Sequence, residues 1–422
     1  MIWRALMSAL LGRLTHGRIE IVESGQRRCF GPADAGFQVT IVVHDRSFWR
    51  ALARGSRGIA ESYAAGSWDC DDLVTLVRIA AREAPWLDRL RAPLAPLRNA
   101  LTRVPRNTHA AARRHIASHY DLGNDLFALF LDETMTYSCG LWDSPASTLR
   151  DAQEAKLDLA CRKLELRPED HLLEIGTGWG SMALYAAERY GCRVTTATLS
   201  REQYAVTRER IRAAGLGDRV KVVLSDYRDL GGKYSKLVSI EMIEAVGWQY
   251  FETFFAACEE LLEPDGLMLL QAITIDNRAY EVEKGSRSFA NELIFPGGCL
   301  PSLEVLARSI GRATELRMID VDDITAGYPP TLKRWREAWL RSEGEARRLG
   351  CDSRFIRLFE FYFAWSEGGF RERRIGTVQA LLSTPAYRRS RVNMRLDRAS
   401  RSVAGPREAS FASASLPPGP ST

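Results

Sequence analysis

Apolar and amphipathic stretches alternate along the second half of the chain. Short apolar runs near residues 171–176, 193–198, 220–224, 236–240 and 266–274 read as buried strands. Between them, residues near 181–190, 200–214 and 250–262 place their apolar side chains at helical spacing. This alternation predicts an α/β fold, a mostly parallel, doubly wound sheet with helices on both faces. A helix over 148–166 leads into it, with Thr148 and Asp151 spaced for reciprocal capping. Further helices are expected at 331–349 and 353–366, and a last strand from Ile375 to Leu382. Residues 1–84 carry a different pattern and predict a smaller mixed domain. Gly17 to Val22 and Phe37 to Val43 alternate like half-buried strands, and Phe48 to Leu52 and Leu73 to Ala81 read as helical.

Breaker residues divide the chain further. Pro85, Pro93, Pro96 and Pro105 punctuate a basic stretch, so residues 85–109 are expected to be a linker with short helices. The catalytic unit is then 110–385, and the Arg-, Ser-, Ala- and Pro-rich residues 386–422 are expected to be a disordered tail. Residues 275–300, rich in Phe, Gly and Pro, form an insert after a late strand, well placed to cover a site. No internal repeat is found.

Composition adds little until charge is mapped. The chain has 422 residues, 45% of them hydrophobic and 26% charged, which suits a globular protein with room for two cores. The net charge is only +5, but basic residues crowd Arg89–Arg114 and the tail after Tyr387. Such crowding suits an anionic surface, and equally a solvated linker and tail. Interleaved aromatics, which base stacking would need, are missing there, so no nucleic-acid partner is expected. The eight cysteines form no C-x-x-C pair and no Cys/His cluster with metal spacing, which points to free thiols in a cytoplasmic compartment and no metal. The run Ile2–Leu11 is apolar, but it is short and Arg4 interrupts it. It predicts neither a transmembrane helix nor a signal peptide. It reads as an amphipathic helix lying on a membrane or as a first helix packed on its own domain.

The chemistry starts at Leu172-Leu173-Glu174-Ile175-Gly176-Thr177-Gly178-Trp179-Gly180, a strand, three alternate glycines and a helix opening at Ser181. Glycine there allows positive φ and leaves no side chain between backbone and ligand. The spacing is G-x-G-x-G, not the G-x-G-x-x-G of a pyrophosphate turn. A short turn of an acidic residue followed by glycines suits the amino-acid end and ribose of S-adenosylmethionine (SAM). A dinucleotide site or a ligand-free turn shares part of the pattern.

Several motifs then occur in one order: His119-Tyr120-Asp121-Leu122-Gly123-Asn124-Asp125-Leu126-Phe127, Met135-Thr136-Tyr137-Ser138-Cys139, the glycine turn, Thr198-Leu199-Ser200-x-x-Gln203, Asp226-Tyr227-Arg228-Asp229, Glu241-Met242-Ile243-Glu244-Ala245-Val246-Gly247, and Phe295-Pro296-Gly297-Gly298-Cys299. Together they resemble the cyclopropane fatty acid synthases over roughly residues 110–385. The resemblance implies a Rossmann-like SAM-dependent methyltransferase fold acting on a cis double bond of a phospholipid acyl chain at an anionic membrane surface. A cyclopropane ring is the product implied. A methylene branch is the first alternative, and a reductase partner would follow from it; a small-molecule SAM methyltransferase and a non-catalytic lipid-binding protein are the others. A homodimer is implied by the resemblance alone.

The same resemblance assigns residues. Gly176, Gly178 and Gly180 would approach the methionine end of SAM, with Tyr137 and Ser138 closing over it. Thr198, Leu199 and Gln203 would face the ribose, and Asp226 and Tyr227 would flank the adenine. The alkene attacks the sulfonium methyl, so no Ser or Cys nucleophile is needed. The resulting carbocation must be kept from water, and Trp248, Phe289, Phe295, Tyr328 and Phe363 are aromatic candidates for that. A base must then remove a proton. No histidine follows His171. The family uses bound bicarbonate, whose positions fall on Cys139 (backbone), Glu244, Gln271, Ile273 and Tyr328. Gln271 departs from the family's frequent His and cannot carry a proton.

Overall fold

The computed structural model describes residues 2–95, 123–286 and 288–388. The expected linker beyond residue 95, the His119-Tyr120-Asp121-Leu122 segment and the tail from 389 lie outside the described residues.

A small mixed sheet forms first, from β1 (Arg18–Glu23), β2 (Gln26–Phe30), β3 (Gln38–Val43) and β4 (Trp68–Cys70). Its order is β2-β1-β3-β4, with β1 and β3 parallel and both outer strands antiparallel to their neighbours. Ile19, Ile21, Val39, Ile41 and Val43 point inward, as their alternation requires. The apolar N-terminal run is a helix, Ile2–Leu11. It buries Met7, while Ile2 (81%), Trp3 (47%), Leu6 (53%) and Leu10 (38%) stay exposed.

The expected boundary at residue 85 is not there. The helix Leu73–Arg91 runs through Pro85. Proline removes one backbone donor inside a helix, but contacts on both sides of Pro85 hold this one in place. Arg78 and Arg82 bind Glu372, and Arg374 binds Asp88. The N-terminal unit therefore shares a core with the helix Ser353–Arg371. Gly368 lies so close to Val77 that a Cβ there would stand 2.7 Å from its side chain. Arg357 lies over the Tyr63 ring at 4.0 Å and donates to the carbonyls of Tyr63 and Trp68.

The second sheet has seven strands: β5 (His171–Ile175), β6 (Arg193–Thr198), β7 (Val220–Leu224), β8 (Tyr234–Ile240), β9 (Leu262–Ile275), β10 (Arg317–Asp323) and β11 (Ile375–Ser383). Their order is β10-β11-β9-β8-β5-β6-β7, parallel except that β11 runs antiparallel to both β9 and β10. The helices Ser181–Tyr190, Arg201–Ala213 and Phe251–Leu261 connect the parallel strands. The helix Leu149–Lys163 opens with the expected capping box, Thr148 and Asp151 each accepting the other's backbone N–H. Strand order reverses between β5 and β8, which creates a crevice at their carboxyl ends. Gly176 follows β5 directly, and Glu241 follows β8.

Candidate active site

The glycine turn lines that crevice. Gly176, Gly178 and Gly180 all have positive φ, at 101°, 53° and 87°. A Cβ on Gly178 would meet no atom within 4 Å, whereas one on Gly180 would stand 2.8 Å from Thr207. Gly178 thus leaves its backbone open to a ligand, and Gly180 allows helix Arg201–Ala213 to pack closely. The cavity is lined by Gly176, Gly178, Tyr137, Ser138, Thr198, Leu199, Gln203 and Tyr227 from the expected cofactor set. Gly180 and Asp226 stand behind this wall. Asp226 caps the turn Tyr227–Asp229 and pairs with the Arg228 guanidinium at 2.7–2.8 Å, while Ser225 and Tyr227 face the cavity.

Two buried charged residues also line the cavity, Glu174, the acid before the glycine turn, and Lys156, which was not singled out from sequence. Glu174, on β5, accepts a hydrogen bond from Thr196 at 2.5 Å, and burial raises its carboxyl to about 8. Lys156 is buried on the inner face of helix Leu149–Lys163 and donates to Ser138 Oγ at 2.7 Å. Burial pulls its ammonium down to about 8, against the attraction of Glu241. The four-residue spacing of Ala152, Lys156 and Ala160 could have placed Lys156 on that face.

The expected bicarbonate residues do come together, but around a carboxylate of the chain itself. The Cys139 backbone N–H donates to Glu241 Oε1 at 3.1 Å, Gln271 Nε2 donates to the same oxygen at 2.8 Å, and the Tyr328 hydroxyl donates to Oε2 at 2.5 Å. The Ile273 N–H instead donates to Glu244 Oε1 at 2.5 Å. Glu244 Oε2 has no hydrogen-bond partner. Burial raises both carboxyls. Glu244 goes up to about 8, pushed further by the charge of Glu241, while the three donors and Lys156 pull Glu241 back down. Burial and Glu241 hold Tyr328 well above its ordinary range, so its hydroxyl keeps its proton. Burial does the same to the Cys139 thiol.

The residues present therefore do not fit bicarbonate. All four of its expected donors are already taken, and an anion would add a further negative charge beside the buried Glu241 carboxylate. Glu241 lay within a quoted motif but was given no role. The sequence signal was a lone acid at the end of a buried strand, and its partners become visible only in three dimensions.

Aromatic rings close the other side. Tyr137 and Tyr362 share a hydroxyl hydrogen bond at 2.8 Å, Phe295 meets Tyr362 edge-on, and Tyr328 stacks on Phe370 at 4.0 Å. Of the five aromatic candidates, Tyr328 bonds Glu241 and Phe295 reaches this wall. Phe289 and Phe363 pack in the core, and Trp248 lies under Lys284. The insert crosses the site as expected, Cys299 N–H donating to the Glu244 carbonyl at 2.8 Å.

A seven-stranded sheet of this order with a glycine turn and an acid-walled crevice at its switch point defines a SAM-dependent methyltransferase. The chain belongs to the mycolic acid cyclopropane synthetase family, whose sequence profile matches residues 107–380. It is 38% identical over 384 residues to tuberculostearic acid methyltransferase UfaA1 of Mycobacterium tuberculosis, covering 87% of this chain and 88% of that one. It is 36% identical over 345 residues to the cyclopropane-fatty-acyl-phospholipid synthase of Escherichia coli, covering 80% and 85%. Among solved structures, the mycolic acid cyclopropane synthase CmaA1 bound to S-adenosylhomocysteine superposes with a TM-score of 0.59 at 31% identity, covering 64% of this chain and 98% of that one.

Proposed function

We propose that this enzyme moves the one-carbon unit of SAM onto a cis double bond of a phospholipid acyl chain at an anionic membrane surface, giving a cyclopropane fatty acid. One observation carries the reading. The cofactor cavity shares a wall with a buried proton-accepting carboxylate and an aromatic surface, Glu241 beside Tyr137 and Tyr328. SAM supplies an electrophilic methyl group when bound. The residues expected to hold it are Gly176, Gly178, Thr198, Leu199, Gln203 and Tyr227, with Tyr137 and Ser138 closing over the methionine end. An alkene needs no activation by a side chain, but its cation must meet aromatic faces and no water. Tyr137, Tyr362 and Phe295 supply such faces. The lipid-modifying relatives favour the same acceptor class.

A second product is favoured by a specific finding. The relative named for tuberculostearic acid methylation aligns along nearly its whole length. A methylene branch at the same double bond, later reduced by a partner enzyme, is the corresponding reading.

The proposed membrane contacts are the exposed face of helix Ile2–Leu11 and the basic stretch Arg89–Arg114, and the proposed location is the cytoplasmic side of a bilayer. Among the described residues, no helix is long and apolar enough to cross a membrane.

The test is transfer from labelled SAM to vesicles of cis-unsaturated phospholipid, with NMR of the released acyl chains. Cyclopropane protons support the first reading, olefinic methylene protons the second. Absence of transfer by SAM-bound enzyme rules out this acceptor.

A further inference from the structure

The position where the family resemblance implies an anion is filled by this chain's own carboxylate. Three donors from three separate segments converge on Glu241: Cys139 N–H, Gln271 Nε2 and Tyr328 Oη. A carboxylate only accepts hydrogen bonds, so three convergent donors select its ionised form.

The backbone supports the same conclusion. Glu241 has φ of 49°, in the left-handed region. Glycine sits there freely, whereas a residue with a Cβ pays about 1–2 kcal/mol. Such strain persists where the surroundings over-determine a residue, and it concentrates at functional sites. Here the surroundings are those three donors, together with the Glu241 N–H bond to the Gln271 carbonyl at 2.8 Å.

Glu244 is the contrasting partner. One of its oxygens accepts a single backbone N–H and the other has no partner. Two buried carboxylates that feel each other's charge do not both ionise. The hydrogen bonds assign the charge to Glu241 and leave Glu244 neutral. Lys156, buried nearby, completes the balance.

We propose that Glu241 is the general base of this enzyme, a built-in carboxylate that replaces bicarbonate, and that turnover requires no bicarbonate. The inference rests on the acyl-chain reading above. The alkene π pair forms the new C–C bond to the methyl group, and the C–S pair stays on sulfur, leaving a cation on the acyl chain. One C–H bond of the transferred methyl then breaks. Its proton goes to a Glu241 oxygen, and its electron pair closes the ring onto the cationic carbon. If a 1,2-hydride shift first moves the cation to the methyl-bearing carbon, loss of the same proton leaves a methylene group. Glu241 gives its proton to solvent between turnovers, and no oxidant or reductant is consumed.

The test compares the full-length wild type with Glu241→Gln and Glu241→Gly in decarbonated buffer, with and without added bicarbonate. Wild-type turnover should be the same in both. Glu241→Gln keeps the size but not the basicity, and should lose about 10²–10⁴ in rate. Glu241→Gly suits the backbone and frees the three donors, so its rate should fall similarly and recover when bicarbonate is added. Carbon-13 NMR of labelled bicarbonate should show binding to Glu241→Gly and none to wild type, with SAM affinity retained in both by calorimetry. Bicarbonate-dependent wild-type turnover, bicarbonate binding by wild type, or full activity of Glu241→Gln would overturn the proposal. If wild type transfers nothing to acyl chains, the acceptor reading fails, while the bicarbonate-binding comparison still decides what fills the anion position.

Discussion

Gln271 and Gln379 face each other across the antiparallel pairing of β9 and β11, and this pairing decides which end of Gln271 meets Glu241. Gln379 Nε2 donates to the Gln271 side-chain carbonyl at 3.0 Å, so the Gln271 amide nitrogen is left pointing at the carboxylate. Gln271 is thus built into the strand register as a fixed donor.

Replacing Gln271 by leucine should therefore act twice. It leaves the buried Gln379 amide without its acceptor, at about 1–3 kcal/mol of stability measured by urea unfolding. It also removes one donor from Glu241, so the acidic limb of the kcat–pH profile should move to higher pH. An unchanged profile would show that Gln271 does not tune the carboxylate.

Glu244 makes stability depend on pH. Burial raises its folded value to about 8 from an ordinary 4.5. Between those values the unfolded chain has released the proton and the folded protein still holds it. Stability is therefore greatest below pH 4.5 for this group and falls as pH rises toward 8, by up to about 1.4 kcal/mol per pH unit. Glu244→Gln should flatten the curve between pH 5 and 8. Glu174 contributes in the same direction and remains in both proteins. Parallel curves for wild type and variant would refute the assignment.

The glycines of the turn should separate folding from binding. Gly180→Ala puts a methyl group against Thr207 at positive φ, and should cost about 1–3 kcal/mol of stability. Gly178→Ala carries backbone strain but meets no protein atom. Its larger effect should be on SAM affinity, about tenfold or more by calorimetry. Equal effects of the two substitutions on unfolding and on SAM binding would contradict these roles.

Membrane association should have two separable parts. Replacing Trp3 and Leu6 together by serine removes exposed apolar area, and should weaken co-sedimentation with phospholipid vesicles at any ionic strength. The basic stretch should make the remaining binding decline with salt, as screening shortens the reach of its charges. Salt-independent binding that survives the double substitution would rule out both contacts.

The parallel strands and the glycine turn were legible because fully buried strands write continuous apolar runs and a ligand-facing bend demands glycine. β10 was not. Arg317–Asp323 is acid-rich and lies at the sheet edge, with every second residue exposed. The helix Leu303–Ala313, just beyond the expected insert, was not assigned from sequence either. Eight of the residues expected to meet the cofactor line the cavity, while Gly180 and Asp226 stand behind it and Lys156, which lines it, was not named. Buried charges within apolar faces look like surface residues until their partners are placed. Glu241 was the largest omission, because its role depends on donors more than a hundred residues upstream and about thirty and ninety downstream.

The Arg357 clasp on Tyr63, Trp68 and Asp69 has a mechanical consequence. It joins the unit bearing the exposed Ile2, Trp3 and Leu6 to the same helix that carries Tyr362 and Phe370 into the active site. A force on that N-terminal unit therefore reaches the wall of the crevice through side-chain and main-chain hydrogen bonds, as along a rigid arm rather than a cord.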